Sequence, residues 1–361
     1  MKILMAMSGG IDSAVSAMLL REQGHETVGV TFRTFDTIKE SCIAREKGCC
    51  SVESIMEARN LAHKLGFEHH IIDFREPFKE HVISNFVSEY MHGRTPNPCV
   101  LCNSYIKWGL LLDAADEYGC DMIATGHYAR IQQRNGHYYL ANAVDTTKDQ
   151  TYFLWMLTED NLKRTIFPLG GYTKLQTRQI AAEHGFVELS QKTESQEICF
   201  ITDNDYRSFL EEQVPDFKER CGKGNYVDAQ GNVLGQHCGY PFYTIGQRKG
   251  LGIALGKPRF VTRIDAERNE ITLGEHDDLL SDSLHAVNAH ITDPEWLMQD
   301  SVVEARIRYR TKPVKADIRY ADSCFDLYFE QPVWGVTPGQ SVVLYKDNLV
   351  VGGGIIDDLK I

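Results

Sequence analysis

The 361-residue sequence contains no apolar run of the roughly 20 residues needed to cross a bilayer. The apolar stretch at its start, residues 1–7, passes directly into a Ser-Gly-Gly sequence and is too short for a secretory signal. Internal repeats, heptad runs and low-complexity tracts are also absent. These absences argue against a membrane-spanning or fibrous protein, and we expect a cytoplasmic monomer with no membrane partner.

Cysteine and basic charge are also limited. Ten cysteines fall well below the density of a secreted disulfide scaffold, so free thiols are expected in a reducing compartment. The 38 Lys and Arg residues are outnumbered by 50 Asp and Glu residues, which gives a net charge of −12. This balance argues against a protein that coats nucleic acid indiscriminately, although a local basic face remains compatible with it.

The first part of the chain, residues 1–204, alternates short apolar runs with segments of helical periodicity. This alternation predicts an α/β domain with a parallel sheet and helices on both faces. Asn135-Gly136 lies between two strand-like segments and predicts a β-hairpin. The predicted strands are 2–7, 27–32, 69–74 and 122–125, and the predicted helices are 12–23, 52–65, 77–90 and 104–118.

Two further domains are predicted after residue 204. Residues 205–278 are rich in glycine, which indicates a small central domain of loops and short strands. Residues 279–361 contain alternating strand patterns that predict a small C-terminal β-barrel. Its predicted strands are 302–310, 314–320, 324–329, 341–346 and 349–356. In the first of them Arg306, Arg308 and Arg310 alternate, so they would share one face and could contact nucleic-acid phosphates.

The sequence Ser8-Gly9-Gly10-Ile11-Asp12-Ser13 follows the first predicted strand and opens a helix. Two glycines and a helix N-terminus can cradle a phosphate group, and Asp12 could hold Mg²⁺ against it. The Gly-Lys-[Ser/Thr] of the Walker A motif is missing. The alternative is a tight turn in which Asp12 or Ser13 caps the helix.

Two cysteines lie in segments where chemistry is plausible. Cys102 follows a loop stiffened by Pro96 and Pro98, and it lies just ahead of the helix predicted over 104–118, where the helix dipole would favour a thiolate. Cys199 follows a polar segment and precedes Phe200. Alone, Cys99-x-x-Cys102 is equally compatible with a redox pair or half a metal site, and Cys199 with a core residue.

The glycine loop resembles the signature of the PP-loop ATP pyrophosphatases, and the whole motif series resembles the tRNA-specific 2-thiouridylase family. The resemblance extends from residue 1 to about residue 357. It is carried, in chain order, by Ser8-Gly9-Gly10-Ile11-Asp12-Ser13, residues 95–103, Ala124-Thr125-Gly126-His127-Tyr128, residues 148–154, 195–200 and 244–252, Arg308-Tyr309-Arg310 and Gly352-Gly353-Gly354-Ile355-Ile356.

The resemblance implies a PP-loop (adenine nucleotide alpha hydrolase-like) catalytic domain and a specific reaction. ATP adenylates the C2 oxygen of the wobble uridine of tRNA, and persulfide sulfur replaces that oxygen. Cys199 would carry the persulfide, Cys102 would act as nucleophile, and the two could close a disulfide when sulfur leaves. The implied partners are the tRNAs for Lys, Glu and Gln and a persulfide donor such as a cysteine desulfurase or sulfur relay protein.

The resemblance also implies binding residues. The ATP contacts would be Ala6, Met7, Ser8, Gly9, Gly10, Ile11, Asp12, Ser13, Phe32 and Gly126. The target-base contacts would be Asn97, Pro98 and Cys99, and the other tRNA contacts His127, Lys148, Asp149, Gln150, Arg308, Tyr309 and Gln340.

The sequence departs from the family at Cys99, where many members carry an aspartate, so the general base is unassigned. Cys99, Cys102 and Cys199 together could hold an iron–sulfur cluster with one open iron. Cys42, Cys49 and Cys50 form a second group, for which a packing or loop role is expected and zinc remains open. Two other functions remain alternatives: a PP-loop ligase for a small molecule, and a tRNA- or zinc-binding module without catalysis.

Overall fold

The computed structural model describes residues 1–35, 52–191, 198–201 and 205–357. Cys42, Cys49, Cys50 and the part of the Cys199 motif at 192–197 lie outside these residues. The chain forms two compact units, the first made of Met1–Val82, Cys99–Asn204 and Asp347–Val351, and the second of Ile83–Pro98, Asp205–Lys346 and Gly352–Ile361. The three-domain division after residues 204 and 278 stays a prediction.

The first unit contains a parallel five-stranded sheet, which confirms the predicted α/β class. Its strands are β1 (Lys2–Ala6), β2 (Glu26–Arg33), β3 (His69–Asp73), β4 (Met122–Ala124) and β7 (Thr165–Ile166). The order is β3-β2-β1-β4-β7, and each neighbouring pair is parallel. The central strand β1 is buried at Ile3, Leu4 and Met5 in succession, as expected for a strand covered on both faces.

The four helices predicted for this part of the chain are present, with one difference in their bounds, and between residues 159 and 191 the structure describes three further helices that were not predicted. The helical run predicted over 104–118 begins earlier, at Pro98, whose fixed φ suits the first helical position. The chain's helices up to residue 191 are α1 (Ile11–Glu22), α2 (Val52–Leu65), α3 (Arg75–Phe78), α4 (Ser84–Met91), α5 (Pro98–Leu101), α6 (Leu111–Glu117), α7 (Glu159–Lys163), α8 (Lys174–Glu183) and α9 (Val187–Gln191), with π-helical turns at Lys79–Ile83 and Cys102–Leu110. Among the described residues, no helix is both long and apolar enough to cross a membrane.

The predicted hairpin is present as β5 (Arg130–Arg134) and β6 (His137–Ala141), which pair antiparallel. Asn135 and Gly136 both have positive φ, 52° and 88°, as a two-residue type I′ turn requires. The signal was specific because few residues other than Asn and Gly accept this backbone conformation.

The second unit contains a small sheet and a barrel. The sheet has the order β10-β11-β8-β9, formed by β8 (Gly224–Val227), β9 (Val233–His237), β10 (Phe260–Asp265) and β11 (Glu270–Gly274). Helices α10 (Tyr206–Gln213) and α11 (Phe217–Cys221) precede it. The barrel strands are β12 (Leu280–Ile291), β13 (Val302–Arg306), β14 (Val314–Ala321), β15 (Cys324–Trp334), β16 (Ser341–Lys346) and β17 (Leu349–Asp357), with helix α12 (Pro294–Gln299) after β12.

The predicted C-terminal barrel is confirmed, with two corrections. It has six strands rather than five, because β12 pairs with both β15 and β17 and closes the barrel. The sequence hid β12 because only Leu284 and Ala286 along it are buried, so its apolar alternation is weak. The first predicted strand, 302–310, was too long: β13 ends at Arg306, and the chain then bends and turns.

A histidine links β2 and β3 to the end of β1. Thr31 Oγ1 donates to the Met7 carbonyl (2.8 Å) and lies 2.8 Å from Nε2 of His69, so Nε2 carries the proton. Nδ1 of His69 is buried without a hydrogen-bond partner in the described structure. Burial, followed by the charges of His70 and Arg59, lowers the pKa of His69 to about 4.

Because the pKa of His69 is lowered in the folded protein, the free energy of unfolding should depend on pH. Between pH 6.5 and about 4 the unfolded chain binds a proton that folded His69 rejects, so the free energy of unfolding falls as the pH falls. Wild type should lose about 2 kcal/mol more than His69→Gln between pH 7 and pH 5. The Gln amide can still donate to Thr31. Urea unfolding of both proteins at both pH values measures the difference, and equal losses would contradict the assignment.

Candidate active site

The glycine loop lies where an open parallel sheet binds ligands. Strand β1 lies between β2 and β4 in the sheet. The chain passes from β1 to β2 and β3 on one side, and then crosses back to β4 on the other side of β1. A crevice forms at the carboxyl ends of strands at such a switch point. The predicted ATP loop, Ser8 to Ser13, follows β1 at this place.

The loop leaves the start of α1 without a side-chain cap. The N-cap residue is Gly10, which has no side chain to accept a hydrogen bond from the first turn. The Ser13 hydroxyl instead accepts from the Ser8 amide (3.1 Å) and donates to the Gly10 carbonyl (3.0 Å). The alternative of a helix capped by Asp12 or Ser13 is therefore wrong. The uncapped N–H groups of the first turn have the arrangement that binds anions.

Two glycines allow the loop to approach its neighbours. Gly9 has a φ of +71°, and a Cβ there would lie 2.4 Å from the Ser54 carbonyl oxygen. A Cβ on Gly126, just after β4, would lie 2.7 Å from the Ser13 amide nitrogen and 2.9 Å from the Asp12 carbonyl carbon. The structure therefore brings Gly126 against the first turn of α1, beside the other predicted ATP contacts.

Asp12 is held by two residues that the sequence analysis did not assign. The Lys174 ammonium lies 2.7 and 2.9 Å from its two carboxylate oxygens, and the Tyr128 hydroxyl donates to Oδ1 (2.9 Å). Lys174 is buried and is the first residue of α8. Nothing in the sequence around Lys174 pointed to Asp12, because the two are 162 residues apart.

Asp12 is the candidate ligand for Mg²⁺, with its charge already balanced by Lys174. Among the described residues, no three His, Cys, Asp or Glu side chains are grouped as a metal site. This includes Cys99, Cys102 and Cys199, so the iron–sulfur arrangement has no support from their placement. Phe32, at the end of β2, is half-buried and packs against Phe74 with ring centroids 5.2 Å apart.

The thiol positions differ from the expectation for Cys102. Because the helical run begins at Pro98, exposed Cys99 lies in its first turn and half-buried Cys102 begins the π-helical turns beyond it. The helix dipole acts mainly within the first turn, so the predicted N-terminal position of Cys102 is wrong. The next residue, Asn103, is buried and donates to the Phe153 carbonyl (2.9 Å), which fixes this part of the helix.

Cys199 is exposed, so the alternative of a core cysteine is wrong. Its neighbour Phe200 is the buried residue and packs edge-on against Phe35 and Phe78, at centroid distances of 6.4 and 5.6 Å. The aromatic contact anchors the backbone and leaves the adjacent thiol outside. No disulfide links the cysteines within the described ranges.

His127 lies in a polar and aromatic environment after β4. Its Nδ1 is 2.7 Å from Thr125 Oγ1, and its Nε2 is 3.4 Å from the ammonium of Lys107, another residue not predicted. The ring packs against Trp108 and Phe167. Burial and the Lys107 charge lower the pKa of His127 well below 6.5. The ring is therefore neutral at pH 7 and suited to hydrogen bonding rather than to phosphate charge.

The segment Lys148, Asp149 and Gln150 is fixed by internal hydrogen bonds. Buried Asp149 accepts from the Ala143 amide (2.7 Å) and the Thr151 hydroxyl (2.5 Å). Gln150 Oε1 accepts from the Tyr128 amide (2.9 Å). The side chains of Asp149 and Gln150 therefore hold the backbone of this segment in place. Half-buried Lys148 is the residue of the three that carries a positive charge.

In the second unit, Gln340 fixes the chain ahead of the predicted target-base contacts. Its amide nitrogen donates to the carbonyls of Thr95 and Pro96, both at 3.0 Å. These are the two residues that precede Asn97 and Pro98. Gln340 is therefore a positioning residue for this segment in the structure.

The predicted arginine face is not formed. Since β13 ends at Arg306, the three arginines do not alternate along one strand. Arg306 lies over the ring of Tyr345, at 5.1 Å, while Arg308 donates to the Ile245 carbonyl (3.0 Å) and to Thr337. Half-buried Tyr309 and exposed Arg310 lie in the following turn. Arg308 thus ties the segment containing Ile245 to the barrel.

Comparisons with known proteins cover nearly the whole chain. Residues 1–203 match the family described as the tRNA methyl transferase HUP domain, 207–275 its PRC-barrel domain, and 282–356 the aminomethyltransferase beta-barrel domain. A tRNA-specific 2-thiouridylase MnmA of Amoebophilus asiaticus is 48% identical over 98% of this chain and 95% of its own. Proteins of the same name from Cytophaga hutchinsonii (45%; 98% and 97%) and Carboxydothermus hydrogenoformans (46%; 99% and 97%) are similar over the same length.

Because Gly126 lies against α1, adding a single methyl group at this position should strongly lower the affinity for ATP. Gly126→Ala should lower ATP affinity roughly tenfold or more, because the added Cβ displaces the first turn of α1. Gly171→Ala is the matched control and should bind ATP as wild type does, since beyond its two chain neighbours no described residue has an atom within 4 Å of the added Cβ. Calorimetric titration with ATP measures both, and unchanged affinity in Gly126→Ala would contradict the site.

The Asp12–Lys174 pair predicts a difference between buried and exposed lysines. Lys174→Met leaves a partly buried carboxylate without its cation and should lower the free energy of unfolding by about 2 kcal/mol. Lys163→Met removes solvent-exposed ion pairs with Glu159 and Asp160, and the resulting loss should be clearly smaller because water screens these charges. Urea unfolding at pH 7 measures the free energy of unfolding of both variants. Equal losses in the two variants would contradict a larger stabilising contribution from the Asp12–Lys174 pair.

Proposed function

The chain belongs to the tRNA-specific 2-thiouridylase family, and on that premise we propose that it thiolates C2 of the wobble uridine of tRNA at the expense of ATP. The observation that carries this proposal is the uncapped first turn of α1 against Gly126, a phosphate cradle in the same unit as Cys102 and Cys199. The domain organisation proposed with it is 1–204 catalytic, 205–278 central and 279–361 tRNA-contacting.

The first step is activation of the uridine. Its C2 oxygen attacks the α-phosphorus of ATP, pyrophosphate leaves, and the oxygen becomes part of an AMP leaving group. Ala6 to Ser13 and Gly126 bind the nucleotide in this proposal, and Phe32 lies against the adenine. Mg²⁺, when bound at Asp12, supplies charge neutralisation to the phosphates.

The second step is sulfur transfer. The terminal sulfur of a persulfide on Cys199 attacks C2 and displaces AMP. The thiolate of Cys102 then attacks Sγ of Cys199, which releases 2-thiouridine and leaves a Cys102–Cys199 disulfide. An external thiol reductant reduces this disulfide before the next turnover. The exposure of Cys199 supports its loading by a donor protein, either a cysteine desulfurase or a sulfur relay protein.

The tRNA contacts divide into direct and positioning residues. Asn97, Pro98 and Cys99 contact the target base, and His127 serves as a neutral hydrogen-bonding group. Lys148 and Tyr309 supply further contacts. Asp149, Gln150, Arg308 and Gln340 act through the segments that they hold, because their side chains are engaged within the protein. The proposed substrates are the tRNAs for Lys, Glu and Gln.

The sulfur route predicts the outcome of one substitution. With unmodified tRNA, ATP and a sulfur donor, wild type should form 2-thiouridine and Cys199→Ser should form none, because the hydroxyl cannot carry a persulfide. Cys238→Ser, which removes another exposed thiol, is the matched control and should be fully active. Nucleoside mass spectrometry of the recovered tRNA measures the product.

Formation of 2-thiouridine by Cys199→Ser would leave the reaction in place but overturn the sulfur route. No product from any of the three proteins, with ATP bound and the donor shown to work on another thiouridylase, would favour the small-molecule ligase. Such a ligase would also fail to bind tRNA.

A further inference from the structure

The glycine-rich segment at 248–259 overlaps the 244–252 motif, whose residues have no part in the proposed reaction. Its twelve residues include four cations and no acidic residue, in a protein whose net charge is −12. The cations are Arg248, Lys249, Lys257 and Arg259. Of these, Arg248, Lys249 and Lys257 are exposed. We call residues 248–259 the basic loop.

The basic loop is closed and supported by hydrogen bonds within the second unit. The Gly246 amide donates to the Val261 carbonyl (2.8 Å), and the Val261 amide donates to the Gln247 carbonyl (3.0 Å). The hydroxyl of buried Tyr226 donates to the Leu251 carbonyl (2.7 Å) and holds the loop from inside. These contacts hold the two ends of the loop and its backbone at Leu251, so less conformational entropy is lost when a ligand binds.

The loop surrounds a cavity of about 570 Å³, open to solvent and lined by residues 248, 250–255 and 257–259. Three of the four cations line it. Arg259 and Lys257 pair with Glu275, at 3.6 and 2.5 Å, and the Asp228 carboxylate also lies near enough to Arg259 to be stabilised by its charge. Within the described part of the chain no acidic side chain pairs with Arg248 or Lys249, so their charges are available to an anion.

We infer that the basic loop binds phosphate groups of the RNA backbone, as a second contact area for the tRNA of the proposed function. The loop offers a local positive field on an acidic protein, which attracts a polyanion through release of its counterions. The loop has no acidic or amide side chain, and the amide of the preceding residue, Gln247, donates to the Lys249 carbonyl (2.9 Å). The expected binding therefore depends mainly on the charge of the RNA backbone rather than on its base sequence.

The test compares two charge-matched double variants of the full chain. Arg248→Gln/Lys249→Gln removes the two cations of the basic loop that have no acidic partner. Lys218→Gln/Arg220→Gln removes two exposed cations from α11 in the same unit. Binding of an unmodified tRNA transcript is measured by filter retention at several KCl concentrations. ATP affinity is measured in parallel, to separate RNA phosphates from nucleotide phosphates as the ligand.

The loop variant should bind tRNA roughly tenfold more weakly at low salt. The slope of log affinity against log salt should be shallower by about 1.5, which corresponds to two phosphate contacts. Its ATP affinity should equal that of wild type, and the α11 variant should bind tRNA as wild type does.

Three results would overturn the inference: an unchanged tRNA affinity and salt slope in the loop variant, an equal loss in the α11 variant, or a loss of ATP affinity in place of tRNA affinity. In each of these cases wild type still binds and thiolates tRNA, so the proposed function stands. Failure of wild type itself to bind tRNA would overturn both.

Discussion

The ion pair between Asp12 and Lys174 joins the parts of the first unit on which the proposed chemistry depends. Asp12 is the second residue of α1, Lys174 begins α8, and Tyr128 reaches the same carboxylate from the segment after β4. A buried ammonium needs such a partner, because an isolated charge in the protein interior is costly. The pair therefore holds α1, α8 and the Gly126 segment in one arrangement, and the glycine loop receives a fixed position above β1.

This arrangement explains why the loop can remain uncapped. A helix N-terminus usually gains a side-chain oxygen, yet here the Ser13 hydroxyl turns back to Ser8 and Gly10 and leaves the first-turn amides available. Gly126 covers one side of the turn where any larger residue would displace it. The contacts of Ser13 and Gly126 thus position the first turn of α1 and leave its N–H groups available to an anion. At the proposed persulfide cysteine, packing and chemistry are likewise divided between neighbouring residues: buried Phe200 anchors the backbone, and Cys199 stays exposed.

Local sequence signals were sufficient for many of the elements, while the interactions between distant residues were not visible. The type I′ hairpin at Asn135-Gly136 and the helix at Val52–Leu65 depend on nearby residues, and both were predicted. Strand β12 was missed because few of its residues are buried, and the end of β13 at Arg306 was missed because alternation continued beyond it. Lys174 and Lys107 were missed because each acts on a partner that only the fold brings near. Gln340 and Arg308 were predicted as tRNA contacts, but their hydrogen bonds to backbone carbonyls could not be read from the sequence.

The proposed reaction depends on adenylation of a tRNA uridine at the loop above β1. Exchange of labelled pyrophosphate into ATP tests it most directly, since the exchange reports reversal of the adenylation step without sulfur. We expect exchange that depends on a tRNA with uridine at the wobble position and disappears when cytidine replaces it. Exchange in the absence of tRNA, or with the cytidine tRNA at the same rate, would contradict adenylation of the uridine.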